Sequence, residues 1–246
     1  MKVLQSSHKK MLCTDLDGTF IGDDDSMYEL LKVIEDKDIL LVFSTGRHLQ
    51  SVMQFVHDKE IQIADACTCM VGTEVYFARK VELILDNNWS RIISHGWERE
   101  KIARLLADIK ELVWQDEEWQ TEFKASYFLR ENQTEVLQEI NWRMQEAELK
   151  AHIIYSSDQF LDFLPPLSGK SEAVRYVADN LRVRKRNVIV CGDTGNDLDM
   201  FKAGFKGIIV GNAHAELKSF EGDNAYHAVA PYAAGIIEGL RHFNFI

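Results

Sequence analysis

A chain of 246 residues, 46% of them hydrophobic and 27% charged, has room for one large or two modest domains whose core needs neither disulfides nor structural metal. A formal net charge of −11 excludes the basic face that nucleic-acid binding requires, although a bound cation can reverse the sign locally for a phosphorylated ligand. The opening MKVLQSSHKK has no apolar signal core and the run Ile39–Phe43 is far too short to span a bilayer, so a cytoplasmic chain with no membrane partner is expected. Cys13, Cys67, Cys69 and Cys191 lack zinc-site spacing and read as buried, reduced thiols.

Met11–Thr14 reads as a buried strand, and Asp25–Asp36 as a helix from the spacing of Met27, Leu30, Leu31 and Ile34. The acidic run Asp23-Asp24-Asp25 lacks EF-hand spacing and reads as a solvated turn. Ile39–Phe43 is a second strand, His48–His57 a helix and Cys67–Val71 a third strand, a rhythm that predicts a parallel sheet covered by helices. From about Ala78 to Leu164 the pattern changes. An aromatic-rich stretch opens with Trp89 and Trp97, and a helix is predicted over Glu98–Leu112. A strand over Ala125–Leu129 and a helix over Glu131–Glu148 follow, then strands Ile153–Tyr155 and Phe160–Leu164 joined by Ser156-Ser157-Asp158. An α+β unit over residues 78–164 is therefore expected inside a core of residues 1–77 and 165–246, with Pro165-Pro166 marking the return. The core rhythm resumes with a helix over Glu172–Leu181, a strand over Asn187–Cys191, a helix over Leu198–Ala203, a strand over Gly207–Val210 and a helix over Ala233–His242.

Four short signals fall at strand ends or helix starts in this scheme. In Asp15-Leu16-Asp17-Gly18-Thr19, strand periodicity sends Asp15 and Asp17 to the same side, and Gly18 permits a sharp turn. Ser44-Thr45-Gly46-Arg47 offers a hydroxyl and backbone N–H groups that can hold phosphate oxygens, and it equally suits a helix cap. Lys170, in Ser168-Gly169-Lys170-Ser171, opens a helix where the macrodipole disfavours a cation, which calls for an anionic partner unless the side chain lies at the surface. Gly192-Asp193-Thr194-Gly195-Asn196-Asp197 puts two carboxylates four residues apart around a glycine-bearing turn, a set that suits a hard cation such as Mg2+.

Together these motifs resemble the haloacid dehalogenase-like superfamily of aspartyl-phosphate phosphatases over nearly the whole chain. The resemblance implies a Rossmann-like α/β parallel-sheet hydrolase core with an inserted α+β cap. It implies Asp15 as nucleophile, Asp17 as general acid/base, and Thr45 and Lys170 as the phosphate-holding pair. It also implies a Mg2+ site built from Asp193, Asp197, Asp15 and the Asp17 carbonyl, with Asn196 bracing that loop beside the substrate.

A narrower resemblance, to the sucrose-phosphate phosphatase family and the similar mannosylfructose-phosphate phosphatases, is carried by several further segments. These are Val71-Gly72-Thr73-Glu74-Val75-Tyr76, Phe123-Lys124-Ala125-Ser126-Tyr127, Leu161-Asp162-Phe163-Leu164-Pro165, Gly211-Asn212-Ala213 and the ending Gly235-Ile236-Ile237-Glu238 with His242-Phe243. Position 18 is glycine where some sucrose-specific members carry asparagine. The resemblance implies hydrolysis of a disaccharide phosphate, with the synthase that makes it as a possible docking partner. A sugar needs hydroxyl-matching groups, for which Gly46, Arg47 and Glu74 at the core mouth are candidates. Strand alternation puts Lys124, Ser126 and Phe128 on one face and Phe123, Ala125 and Tyr127 on the other. Lys124 and Ser126 are the expected cleft face, the alternative being a solvated lysine among packing aromatics. A monomer is expected, and a phosphomutase or a non-catalytic sugar-phosphate sensor are the competing readings.

Overall fold

The computed structural model describes residues 9–246. The expectation that the first ten residues carry no signal core bears mainly on positions 1–8, which lie outside the described residues.

The core begins with β1 (Lys10–Thr14), α1 (Asp24–Asp36), β2 (Ile39–Ser44), α2 (Leu49–Asp58) and β3 (Ala66–Cys69). The strands β4 (Glu74–Arg79) and β5 (Glu82–Leu85) and the helix α3 (Asn87–Ile93) come next. The inserted cap holds α4 (Arg99–Leu106), β6 (Val113–Trp114), β7 (Ala125–Phe128), α5 (Gln133–Glu146), β8 (His152–Ser156) and β9 (Phe160–Leu164). The chain then returns through α6 (Lys170–Asn180), β10 (Val188–Gly192), α7 (Leu198–Lys202), β11 (Lys206–Ile209), α8 (Ala215–Lys218), β12 (Ala225–His227) and α9 (Tyr232–His242).

Eight strands form the core sheet in the order β12-β11-β10-β1-β2-β3-β4-β5. The six strands from β12 to β3 run parallel, as the βαβ rhythm predicts. The strand order reverses beside β1, and open α/β sheets place ligands outside the carboxyl ends of their strands at such a point. The expected boundary at Ala78 is corrected. β4 and β5 extend the core sheet antiparallel to β3, and Trp89 and Ile93 of α3 pack in the core cluster. The hairpin is the sheet's edge, and β5 buries only Leu83 while exposing Ile84 and Leu85, so its short apolar run carries no core alternation.

Three local expectations also shift. The strand read over Cys67–Val71 stops at Cys69, where a single 3-10 turn, Met70–Gly72, takes over. The helix read over Glu98–Leu112 ends at Leu106, after which the chain turns toward β6. Asp23 is a helix cap, its side chain accepting the Ser26 N–H at 3.0 Å, and Asp24 and Asp25 occupy the first turn of α1, where acids complement the macrodipole.

The cap sheet has the order β6-β7-β9-β8. On one face Ala125, Tyr127, Leu161 and Phe163 pack with Ile102, Leu106, Val136, Ile140 and Met144 of its helices. Alternation sends Ser126, Asp162 and Ile154 to the opposite face, in one cross-strand row. That helix-free face looks at the core, because Ile154 and Leu164 meet Val71 of the 3-10 turn. Two hydrogen bonds also tie cap to core. His152 Nδ1 lies 2.8 Å from the Ser168 carbonyl, and the Ser157 N–H donates to Glu216 Oε1 at 2.8 Å.

Gly72 has φ +83, and a Cβ added there would run into the Gly169 carbonyl. Gly72→Ala is expected to destabilise the protein by about 1–3 kcal/mol, read as a lowered Tm. Gly96→Ala is the control, since its φ is also positive but its added methyl meets nothing within 4 Å. Equal losses for the two variants would show that backbone strain, not close packing, fixes the turn.

Candidate active site

Strand register assembles the site. Thr14 pairs with Cys191 on one side and Phe43 on the other, so the residues just beyond these strands leave the sheet together. Asp15, Asp193 and Thr45 are those residues or their next neighbours, and all three are buried. Carboxylate oxygens of Asp15, Asp193 and Asp197 lie within 4.8 Å of one another.

Lys170 enters this cluster from the first turn of α6 and is fully buried. Its Nζ donates to Asp15 Oδ1 at 2.7 Å, Asp197 Oδ1 at 2.6 Å and Asn196 Oδ1 at 3.0 Å. Burial alone would pull the lysine pKa down, but the two carboxylates outweigh it and hold the ammonium above its ordinary value. Burial, reinforced by Asp197 and Asp193, pushes the Asp15 carboxyl up against the opposing pull of Lys170. Burial and then Asp197 push Asp193 to about 6. Three buried acids share one ammonium, so the oxygen-only cluster fits a hard divalent cation.

The surrounding loops are fixed by their own hydrogen bonds. Asp197 Oδ2 accepts the N–H groups of Asp193 and Thr194 at 3.0 and 3.2 Å, and Thr194 Oγ1 donates to Asn196 Oδ1 at 3.0 Å. Gly18, at φ +78, leaves the space a Cβ would take to the Asp193 carboxylate. Thr45 Oγ1 accepts the Arg47 N–H at 3.1 Å, which leaves its own hydrogen free to donate. The Met70 and Val71 N–H groups donate to the carbonyls of Arg47 and Thr45, both at 3.0 Å, so the 3-10 turn braces the Thr45-Gly46-Arg47 loop.

Among the residues expected from sequence, Asp15, Lys170, Asp193, Asn196 and Asp197 meet directly. Asp17 and Arg47 sit at the mouth, where Arg47 Nε donates to Asp17 Oδ2 at 2.7 Å and Nη2 donates to Oδ1. Glu74 is engaged with Tyr76, whose hydroxyl donates to it at 2.7 Å, and among the described residues it is not bonded to the acid cluster. Lys124 is buried, not solvated, and its Nζ lies 3.2 Å from Asp162 Oδ1. Ser126 Oγ donates to the same carboxylate oxygen at 2.6 Å. Trp119, from the loop before β7, lies 6.3 Å centroid to centroid from His48, which directly follows Arg47.

Sequence reading missed three contributors. Thr19 Oγ1 donates to Asp193 Oδ1 at 3.0 Å. Asn212 Nδ2 donates to the Gly18 carbonyl at 2.7 Å while its Oδ1 accepts the Tyr232 N–H at 2.8 Å. Asp162 is the shared partner of Lys124 and Ser126. All three stood inside segments already singled out. Asp162 had the signal of a lone acid within an apolar strand.

Comparison with known proteins fits this geometry. The profile of the sucrose-6F-phosphate phosphohydrolase family matches residues 8–244. The chain belongs to that family. A mannosylfructose-phosphate phosphatase from Agrobacterium fabrum is 33% identical over 241 residues, covering 95% of this chain and 96% of the relative. Sucrose-phosphatase 2 from Nicotiana tabacum is 30% identical over 99% of this chain, which spans only 61% of that protein's length. The X-ray structure of the sucrose-phosphatase from Synechocystis sp. PCC6803, in complex with sucrose and phosphate, superposes with a TM-score of 0.89. It is 28% identical and covers 96% of this chain and 98% of its own. As a sucrose-6F-phosphate phosphohydrolase family member, the protein is a phosphoric monoester hydrolase with a haloacid dehalogenase-like fold. The four cysteines are all free and buried, and among the described residues no helix is long and apolar enough to cross a membrane.

The raised Asp193 pKa gives a signed expectation. A carboxyl at about 6 in the fold, against an ordinary 3.8, contributes stability that is complete below pH 4 and lost as the pH rises through 6. A cation competes with that proton. The Tm increase produced by added MgCl2 is therefore expected to be larger at pH 7.5 than at pH 5.5. An increase that is flat across this range would separate Asp193 from the cation site.

Proposed function

We propose that the protein is a Mg2+-dependent phosphatase that hydrolyses sucrose 6-phosphate to sucrose and phosphate, with Asp15 as nucleophile. The observation that carries this reading is the buried Lys170 ammonium 2.7 Å from Asp15 Oδ1, inside a triad of acids and beneath a polar cap face.

A carboxylate is a weak nucleophile and a phosphate dianion repels it. Lys170 offsets that repulsion and keeps Asp15 aimed. The Thr45 hydroxyl and the Gly46 amide, with Arg47 at the rim, hold the non-bridging oxygens. Asp15 attacks phosphorus in line and the bond to the sugar oxygen breaks, leaving an aspartyl phosphate. Asp17 gives its proton to the departing sugar oxygen and then takes one from the water that hydrolyses the intermediate. Such acid–base help is typically worth about 10²–10⁴ in rate. Mg2+, held by Asp15, Asp193, Asp197 and the Asp17 carbonyl, would supply charge neutralisation for the transferring phosphoryl group.

The cap supports the disaccharide part of the reading. Lys124, Ser126 and Asp162 present a donor, a hydroxyl and an acceptor on the face turned to the core, the polar mixture that sugar hydroxyls need. Mannosylfructose phosphate is the second reading, favoured by the 33% identity to the Agrobacterium fabrum enzyme. Four unpaired thiols suit a reducing, cytoplasmic setting.

Asp15→Asn is expected to abolish phosphate release while titration calorimetry still detects substrate binding. Turnover near the wild-type rate would remove Asp15 as nucleophile. Lys124→Gln is expected to raise KM for sucrose 6-phosphate about tenfold and to change hydrolysis of p-nitrophenyl phosphate little. A panel of sucrose 6-phosphate, mannosylfructose phosphate and hexose phosphates assigns the sugar. Equal kcat/KM across that panel would overturn a disaccharide-selective cap.

A further inference from the structure

Arg47 and Asp17 form a forked pair that the reaction cannot use as it stands. Both oxygens of Asp17 accept from the guanidinium, one from Nε at 2.7 Å and the other from Nη2. Among the described residues no other side chain is recorded as bonded to this carboxylate. Asp15, two residues earlier, is buried and faces Lys170, whereas the Asp17 side chain is 58% exposed at the mouth. A carboxyl group whose two oxygens are both occupied by a guanidinium cannot also reach a leaving oxygen with its proton.

The same fork suits a phosphate. Arginine binds carboxylates and phosphates in one planar, two-bond geometry, so the two anions compete for a single donor set. Arg47 can meet either one. It follows Thr45-Gly46 directly, and its backbone N–H is bonded to the Thr45 hydroxyl, so its side chain starts from the loop proposed to hold the phosphate. A solvent-exposed ion pair costs little to open, whereas a dianion entering a site beside Lys170 brings more charge to the exchange.

We propose that Arg47 is a positioning residue that holds Asp17 away from the reacting centre until the phosphate of a bound substrate takes over the guanidinium. This deepens the proposed function and rests on its assignment of Asp15 and Asp17. Released, Asp17 takes up a proton from solvent and gives it to the leaving sugar oxygen as the P–O bond breaks and the Asp15–phosphorus bond forms. It regains a proton from the water whose oxygen then displaces Asp15 from phosphorus. When phosphate leaves, Arg47 returns to Asp17, which weakens the hold on the product through the same two bonds.

Two measurements on the full chain test this. The first is a crystal structure with Mg2+ and orthovanadate. Arg47 is expected to bond to vanadate oxygens with Asp17 turned inward, and a forked pair that survives loading would overturn the proposal. The second is steady-state kinetics of Arg47→Gln on sucrose 6-phosphate, with Tm confirming the fold. The expected loss in kcat/KM, about tenfold, falls on KM, because the variant loses a phosphate contact but needs no partner exchange to free Asp17. A loss falling on kcat would make Arg47 an ordinary transition-state ligand and overturn the latch. Asp17→Asn separates the two levels. If Asp17→Asn hydrolyses sucrose 6-phosphate normally, the acid–base assignment fails. If it is inactive while Arg47→Gln loses kcat, only the latch fails.

Discussion

Burying one ammonium among three carboxylates is the constraint from which the rest of the site follows. Lys170 is completely enclosed, and taking a charge out of water costs several kcal/mol unless partners replace the solvent. Three oxygens at 2.6–3.0 Å do so. Three acids against one base still leave two negative charges in a closed space, and the upward shifts of Asp15 and Asp193 express that imbalance. A divalent cation would cancel this excess and so admit the phosphate dianion of the proposed reading. Low local dielectric makes each of these interactions stronger than its counterpart in water, so the cluster gains its chemistry from the burial that makes it costly.

Such a cluster needs backbone held to within fractions of an ångström, and the Met70–Gly72 turn provides part of that rigidity. Met70, Val71 and Gly72 have φ of 50°, 59° and 83° in succession. A left-handed non-glycine residue costs roughly 1–2 kcal/mol, so the first two would not hold this shape unaided. They are held by their N–H groups on Arg47 and Thr45, by Thr73 Oγ1 donating to the Met70 carbonyl at 3.0 Å, and by the Trp89 indole donating to the Gly72 carbonyl at 3.1 Å. The result is a hub. Its amides brace the Thr45-Gly46-Arg47 loop, Gly72 abuts Gly169 beside Lys170, and Val71 meets the cap through Ile154 and Leu164.

The parts of the site that were legible in sequence are those whose chemistry and local backbone coincide. Asp15, Asp193 and Asp197 follow apolar runs that read as buried strands, and parallel register does the rest. Lys170 was legible because a cation at a helix start is locally unfavourable and requires a distant anion. What stayed hidden depends on partners far along the chain. Nothing near Arg47 announces Asp17, thirty residues away, as its partner. Asp162 stood in a singled-out segment without a role, which only the β7–β9 pairing with Ser126 gives it. The β4–β5 hairpin failed for another reason: at the sheet's edge only Leu83 of β5 is buried while Ile84 and Leu85 are exposed, so its apolar run does not say which sheet it joins. Trp89, which opens the aromatic-rich stretch, belongs to the core, where its indole is bonded to Gly72.

The cap touches three of the four core segments that carry the chemistry. His152 meets the Ser168 carbonyl two residues before Lys170. The hairpin tip at Ser157 is bonded to Glu216, whose carboxylate lies against Gly195 of the acid loop. Trp119 lies beside His48, next to Arg47. Among the described residues the Asp15 segment is tied instead within the core, by Asn212 through the Gly18 carbonyl and by Arg47 through Asp17. Lifting the cap would therefore loosen the lysine turn, the acid loop and the phosphate loop together while leaving Asp15 on its strand. On the proposed reading, a closed cap would complete the constellation as well as exclude water. On the proposed reading, a sugar bridging Lys124, Ser126 and Asp162 to the phosphate would span both bodies, and its binding energy would stabilise the arrangement in which Lys170 meets Asp15. A small phosphate ester that fills the core alone leaves that energy unused, and the penalty for losing the sugar should fall on the chemical step as well as on binding.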